Sequence, residues 1–171
     1  MKRVIITAIL LIINFILQST VFNYIEIRGV IPNTAIIFIV SFALLRGSLC
    51  GAAAGFFSGL LYDIFFGASI GYYALINMVI GWLCGKFNTN FYRENYLLPA
   101  LLSIAGVIAS ETVIYITHVF MSGSFMYAYF IFNKILPEAV YTLVLVIPVY
   151  RISFAVNERL ESKERRSRRL F

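Results

Sequence analysis

The chain has 171 residues, of which 61% are hydrophobic and 13% are charged, and its formal net charge is +6. A soluble domain averages about 45–50% apolar and about 25% charged residues, so this composition excludes an ordinary soluble domain and indicates an integral membrane protein. Cys50 and Cys84 match no metal-ligand spacing, and a single histidine excludes a histidine-rich metal site. We therefore expect no metal and no cofactor.

Six apolar segments follow one another along the chain, most of them near the length that crosses a bilayer. They cover about residues 4–22, 33–46, 47–66, 70–85, 97–120 and 135–152. The first begins with two basic residues, as a signal peptide does, but its apolar run is too long and lacks a cleavage site. The sequence predicts an all-α integral membrane protein with six transmembrane helices in one bundle, over residues 1–156, and a basic cytoplasmic tail over residues 157–171.

Basic residues predict the orientation of this bundle. Twelve of the fourteen Lys and Arg residues fall on one side of a six-helix topology, and Arg28 and Lys134 fall on the other. Because basic loops stay in the cytoplasm, we predict that both termini are cytoplasmic. The tail either binds anionic lipid or a cytoplasmic partner, or is a solvated topology signal. Its basic residues are Arg159, Lys163, Arg165, Arg166, Arg168 and Arg169.

Glycines recur at every fourth position of the third segment, and a carboxylate takes the next position. The series is Gly47, Gly51, Gly55, Gly59 and Asp63. Residues four apart share one helix face, and a face without side chains lets a second helix approach closely. We predict a packing seam that ends at Asp63, rather than a chance run of small residues. Whether the groove receives a helix of this chain or of a partner stays open.

Seven polar residues fall toward the outer side of the predicted bundle and form what we call the outer polar cluster. Its members are Gln18, Asn33, Asp63, Glu111, His118, Lys134 and Glu138. Ionisable residues within membranes face protein or a water-filled cavity. We predict that Asp63 is structural or partner-binding, through hydrogen bonds from a neighbouring helix or loop or through Lys134. Glu111, Tyr115 and His118 share a face, which is typical either of a proton path or ligand site or of a hydrogen-bonded set that positions helices.

Residues 67–71 read GASIG and formally match the G-x-S-x-G motif of serine hydrolases. That motif needs a strand–turn–helix context to expose its serine, whereas here it joins two predicted membrane helices. We therefore expect no enzyme activity and assign no catalytic residue.

Residues 32–85, the end of the first segment and the sixth segment together carry a family resemblance. The matching elements are Pro32–Asn33, Arg46–Gly47, Gly55–Phe56, Gly59–Leu60, Asp63, Gly67, Gly71 and Ala74, with LQSTVF early in the chain and LPEAVYTLVLVIPVY late in it. In these residues, in length and in segment layout, the chain resembles the bacterial rod shape-determining protein MreD family.

The resemblance implies a non-enzymatic scaffold or regulatory subunit of the bacterial cell-elongation complex, which directs lateral peptidoglycan synthesis from the cytoplasmic membrane. It implies an MreC-like periplasmic scaffold as partner, with MreB and the RodA–transpeptidase synthase as further partners, alongside membrane lipids and without nucleic acid.

The family is also similar to the six-helix S-components of energy-coupling-factor transporters. The alternative function is therefore a substrate-capturing membrane subunit of a vitamin-type transporter. Those subunits usually carry an A-x-x-x-A face on the first helix, where this chain has bulky residues.

Overall fold

The computed structural model describes residues 2–24, 26, 29–67, 69–90, 96–122 and 130–168, and every regular element in these ranges is helical. The α-helices are α1 (Lys2–Tyr24), α2 (Thr34–Arg46), α3 (Ser48–Phe66), α4 (Tyr72–Gly85), α5 (Leu97–Ser122) and α6 (Leu136–Arg168). A 3-10 helix, Lys86–Asn90, follows α4, and a π-helical segment, Ile131–Ile135, leads into α6. Each of the six predicted segments corresponds to one of these helices.

Three of the described helical stretches are long and apolar enough to cross a membrane, namely Ser48–Phe66, Leu97–Thr117 and Ile131–Leu160. Two shorter apolar helices cover Ile6–Phe22 and Thr34–Arg46. An α-helix rises 1.5 Å per residue, so the 13 residues of α2 span about 20 Å. The hydrocarbon core of a bilayer is about 30 Å thick. Membrane location therefore fits the helices, while the number of crossings stays a prediction.

The short helix α2 forms the core of the bundle. Eleven of its thirteen residues are buried, and it contacts α1, α3, α4, α5 and α6. Ile36, Ile39 and Leu44, which point in different directions around the helix, each have 0% of their surface exposed. A helix that is apolar on every side is stable only in an interior, so the sequence of α2 places it at the centre.

One residue, Gly47, separates α2 from α3 and has a φ of +90°, a conformation that glycine adopts without a steric penalty. Beside it, Arg46 donates a hydrogen bond from Nε to Asn157 Oδ1 and another from Nη1 to Thr7 Oγ1, each 2.7 Å long. Both acceptors belong to other helices, α6 and α1. This arginine therefore holds three helices together at the end of the bundle opposite to Asn33.

Helix α6 continues without a break through residue 156 to Arg168. Asn157 is 2% exposed and Leu160 is 8% exposed, so the packed bundle includes the first turn of the predicted tail. Arg159 is exposed. Arg169 and the side chains of Lys163, Arg165, Arg166 and Arg168 lie outside what the structure describes.

The most extensive helix–helix contact is between α3 and α4, which run antiparallel with their backbones touching. A Cβ atom added to Gly55 would overlap the carbonyl of Asn77, and one added to Gly59 would overlap that of Tyr73. Gly51 and Gly81 face each other across the same contact. The glycine groove on α3 therefore receives α4 of this chain, which answers the question that the sequence left open.

This contact predicts that even alanine is too large for the groove. Alanine favours a helix interior over glycine by about 0.8–1.0 kcal/mol, yet we expect Gly55→Ala to destabilise the protein by about 1–3 kcal/mol because overpacking forces the backbones apart. Thermal unfolding in mild detergent measures the effect. Ala53→Leu, on the exposed face of the same helix, is the control and should leave the midpoint unchanged. A Gly55→Ala protein as stable as the native chain would contradict the close packing.

Candidate functional site

Asp63 caps the N-terminus of α4 from the neighbouring helix. Its Oδ2 accepts hydrogen bonds from the backbone N–H groups of Gly71 (2.9 Å) and Ala74 (3.0 Å), and its Oδ1 accepts one from Tyr73 (3.0 Å). The first N–H groups of a helix have no partner within the helix, and the helix dipole favours a negative charge there. Gly71, with a φ of +99°, makes the turn that directs these N–H groups toward α3.

The three hydrogen bonds explain how a carboxylate can lie buried in an apolar bundle. Asp63 is 1% exposed, and a charge within a membrane helix costs about 2.5–3.5 kcal/mol on insertion scales. Hydrogen bonds to a charged group contribute about 1.5–3 kcal/mol each, which together offset that cost. Lys134, the other partner that the sequence suggested for Asp63, is paired with Glu111 instead.

Two further members of the outer polar cluster cap α2 in a similar way. Asn33 Oδ1 accepts from the backbone N–H of Ile36 at 3.2 Å. Gln18, on α1, accepts through Oε1 from Thr34 Oγ1 at 3.0 Å and from the backbone N–H of Ala35 at 3.1 Å. Polar side chains from outside the helix thus satisfy the free groups at the start of α2, as Asp63 does for α4.

A polar cavity of about 270 Å³ lies over the N-terminus of α2, and each of the six helices contributes to its wall. The cavity exists where the short α2 ends and the longer α1, α3 and α5 continue past it. Its polar lining includes Asn14, Gln18, Asn33, Ser58, Tyr62, Tyr73, Asn77, Ser110, Glu111, Lys134 and Glu138. The segment Gly29–Ile31 also lines it.

Three charged side chains line this cavity, and two of them are deeply buried. Lys134 Nζ lies 2.8 Å from Glu111 Oε2, and the lysine side chain is 44% exposed. Glu111 and Glu138 are each 5% exposed. Lys134 also lies over the ring of Phe130, 5.2 Å from its centroid. Among the described residues of the lining, one cation therefore faces two carboxylates.

Several residues of the cavity were absent from the predicted cluster. Asn14 is 4% exposed, Ser58 is 9% exposed and Asn77 is 8% exposed. Among the described residues, the side chains of these three have no hydrogen-bond partner, although buried polar groups are normally paired. A usable sequence signal was the spacing of Asn14 and Gln18, which lie four residues apart on one face of α1. Asn77 gave a weaker signal, because nothing in the sequence placed it beside a cavity.

The structure brings together five of the seven residues of the outer polar cluster. Gln18, Asn33, Glu111, Lys134 and Glu138 line the cavity, whereas Asp63 does not and is directed at α4. The side chain of His118 lies outside what the structure describes.

The predicted set of Glu111, Tyr115 and His118 is also divided. Tyr115 packs against the ring of Phe130, with centroids 4.8 Å apart, and is not among the lining residues of the cavity. Of the two members of this set whose side chains the structure describes, Glu111 lines the cavity and Tyr115 does not.

The described residues contain no group of three or more His, Cys, Asp and Glu that could hold a metal ion. Ser69 of the GASIG segment is exposed in a turn between two helices, which is not the strand–turn–helix context of a serine hydrolase. A cavity with convergent polar groups is instead the usual form of a small-molecule site.

The family model of the rod shape-determining protein MreD matches residues 1–155 of the chain. The chain belongs to the MreD family. MreD proteins are membrane proteins that act in rod-shape determination, and the family is not known as enzymatic. No curated protein and no solved structure gives a significant match to the chain.

The cap made by Asp63 predicts a graded response to substitution in this MreD-family chain. Asp63→Leu leaves three backbone N–H groups unsatisfied, each at a cost of about 1–3 kcal/mol, so we expect a large loss of stability. Asp63→Asn keeps one acceptor oxygen and should be milder. Hydrogen exchange of the Tyr73 and Ala74 amides, together with thermal unfolding, measures both effects. Glu158→Leu, which removes an exposed carboxylate, is the control, and unchanged exchange in Asp63→Leu would disprove the cap.

Proposed function

We propose that this MreD-family chain is a non-enzymatic scaffold subunit of the cell-elongation complex that binds an MreC-like periplasmic partner. The observation that carries the proposal is the family match over residues 1–155. The geometry supports it, because the side chains of Asp63, Gln18 and Asn33 accept hydrogen bonds from backbone N–H groups at the starts of helices. These residues rigidify the bundle and leave no free acid–base pair among themselves.

The partner, on this proposal, uses an outer face of the bundle and not the glycine groove. The groove already holds α4, which leaves no room for a second helix. Large apolar side chains cover the opposite side of α3, where Phe57 and Ile64 are each 58% exposed. A membrane-embedded partner helix and lipid both suit such a surface. Residues Gly51, Gly55, Gly59 and Asp63 would then support the partner surface from inside by fixing α3.

We further propose that the six helices all cross the cytoplasmic membrane, with both termini and the basic tail in the cytoplasm. The asymmetry of twelve basic residues against two supports this orientation. The polar cavity, which contains Lys134 and lies at the same end as Gly71, would then open toward the periplasm. An MreC-like partner, MreB and the RodA–transpeptidase synthase would meet the chain from the two sides of the membrane.

A second candidate function is capture of a small substrate, as in the S-components of energy-coupling-factor transporters. One specific observation favours it, namely the polar cavity of about 270 Å³ with two buried carboxylates. A scaffold needs Asp63 for assembly with its partner, whereas a transporter needs its charge for activity after assembly. Variants of Asp63 therefore separate the two functions.

The scaffold proposal predicts that loss of the Asp63 charge weakens partner association. We expect Asp63→Asn and Gly55→Ala to lower both recovery of the MreC-like partner in mild detergent and rescue of rod shape in cells that lack the native protein. Ala155→Leu, on an exposed face of α6, should retain both. An Asp63→Asn protein that assembles normally but does not restore shape would overturn the scaffold proposal and favour transport or proton coupling.

The orientation proposal predicts the accessibility of the tail. With Cys50 and Cys84 replaced by serine, we expect Arg165→Cys to be labelled by a membrane-impermeant thiol reagent only after the membrane is opened. A cysteine at Gly29, in the segment beside the cavity, should be labelled in intact cells whose outer barrier is permeable. Labelling of position 165 from outside intact cells would place the C-terminal tail outside the cytoplasm and contradict the proposed orientation.

A further inference from the structure

We propose that the polar cavity binds a small organic cation, an amine that carries a hydrogen-bonding group at its other end. The proposal concerns the same cavity as the second candidate function and adds the class of ligand. It does not depend on transport, since a scaffold can also hold a ligand. Failure of the proposal would leave the family role and the scaffold proposal unchanged.

The charge of the lining selects for a cation. Glu111 is already paired with Lys134 at 2.8 Å. Glu138, which is 5% exposed, shares that single lysine and also accepts a hydrogen bond from the side chain of Asn33. Among the described lining residues the formal charge is therefore −1. A buried carboxylate is stable when a positive charge pairs with it. A ligand ammonium beside Glu138 completes two ion pairs in place of one.

The opposite part of the lining offers neutral hydrogen-bonding groups that are not used. Asn14, Ser58 and Asn77 line the cavity, are at most 9% exposed and have no side-chain hydrogen bond to any described residue. An amide and a hydroxyl each provide both donors and acceptors. A hydroxyl, amide or heterocyclic nitrogen on the ligand would satisfy them. These groups are independent of the charged residues and point to a ligand by a separate argument.

The size and the aromatic lining of the cavity suit a small molecule. Tyr62 and Tyr73, whose ring centroids are 4.6 Å apart, and Phe66 provide apolar surface in the lining. Val30, in the segment Gly29–Ile31 that lines the cavity, is itself 5% exposed. A volume of about 270 Å³ lies just below the range for pockets that hold drug-sized ligands, about 300–1,000 Å³, so the ligand must be small.

A set of four probes of similar shape tests the proposal on the purified full-length protein without partners. Tyramine has an ammonium and a hydroxyl, tyrosol replaces the ammonium with a hydroxyl, 4-hydroxyphenylacetate carries a carboxylate, and phenethylamine lacks the ring hydroxyl. We expect tyramine to raise the unfolding temperature and to give the highest affinity in titration calorimetry. Tyrosol should bind roughly tenfold or more weakly, because a charge-assisted hydrogen bond is lost. Phenethylamine should also be weaker than tyramine.

Two variants with opposite expected effects on binding show whether the probe occupies this cavity. Glu138→Gln should weaken tyramine by roughly tenfold or more, whereas Lys134→Gln should strengthen it, because the second carboxylate is freed. Lys134 is partly exposed, so its substitution keeps the test valid if Glu138→Gln does not fold. Glu158→Gln makes the same change at an exposed site of α6 and should leave binding unchanged.

Three results would overturn the proposal. The absence of binding by every probe at millimolar concentration would identify the cavity as a water-filled space. Equal or tighter binding of 4-hydroxyphenylacetate would reverse the assigned charge. Tyramine binding that neither Glu138→Gln nor Lys134→Gln alters would place the probe outside the cavity.

Discussion

The contact between the backbones of α3 and α4, closed at one end by Asp63, is the constraint on which the rest of the bundle depends. Glycines remove the side chains that would separate the two helices, and the carboxylate satisfies the N–H groups at the start of α4. In a membrane the hydrophobic effect does not drive helices together, so close packing and hydrogen bonds must do so. Together they turn α3 and α4 into one rigid unit, against which α2 packs.

The short central helix α2 links this unit to the cavity. Because α2 has only 13 residues, it fills one part of the bundle and leaves a space over its N-terminus that longer helices enclose. Gln18 and Asn33 satisfy the free backbone groups at that end. The same geometry that stabilises α2 therefore creates the polar cavity, and the outer polar residues divide between capping helices and lining the space.

This division gives the polar residues two different functional roles. Asp63 has all its hydrogen bonds within the bundle, as expected of a residue that maintains shape for a partner. Asn14 and Asn77 line the cavity without a hydrogen-bond partner among the described residues, and Glu138, which accepts a hydrogen bond from Asn33, adds a buried carboxylate, as expected of a site that receives a ligand. Membership of the MreD family assigns the chain to rod-shape determination. A rigid bundle with a polar cavity is compatible with a scaffold that binds no ligand and with a scaffold that a ligand regulates.

The sequence by itself determined the helical class, the position of each of the six helices and the four-residue glycine period of α3. These features follow from local composition and from the four-residue period of a helix face. The occupant of the groove, the acceptor role of Asp63 toward α4 and the membership of the cavity were decided by tertiary structure. They depend on which helices are neighbours, and long-range contacts such as that of Asn33 with Thr142 leave no periodic signal in a single chain. For the same reason Asn14 and Asn77 escaped prediction, since a lone amide in an apolar helix does not show whether it faces lipid, a helix or a cavity.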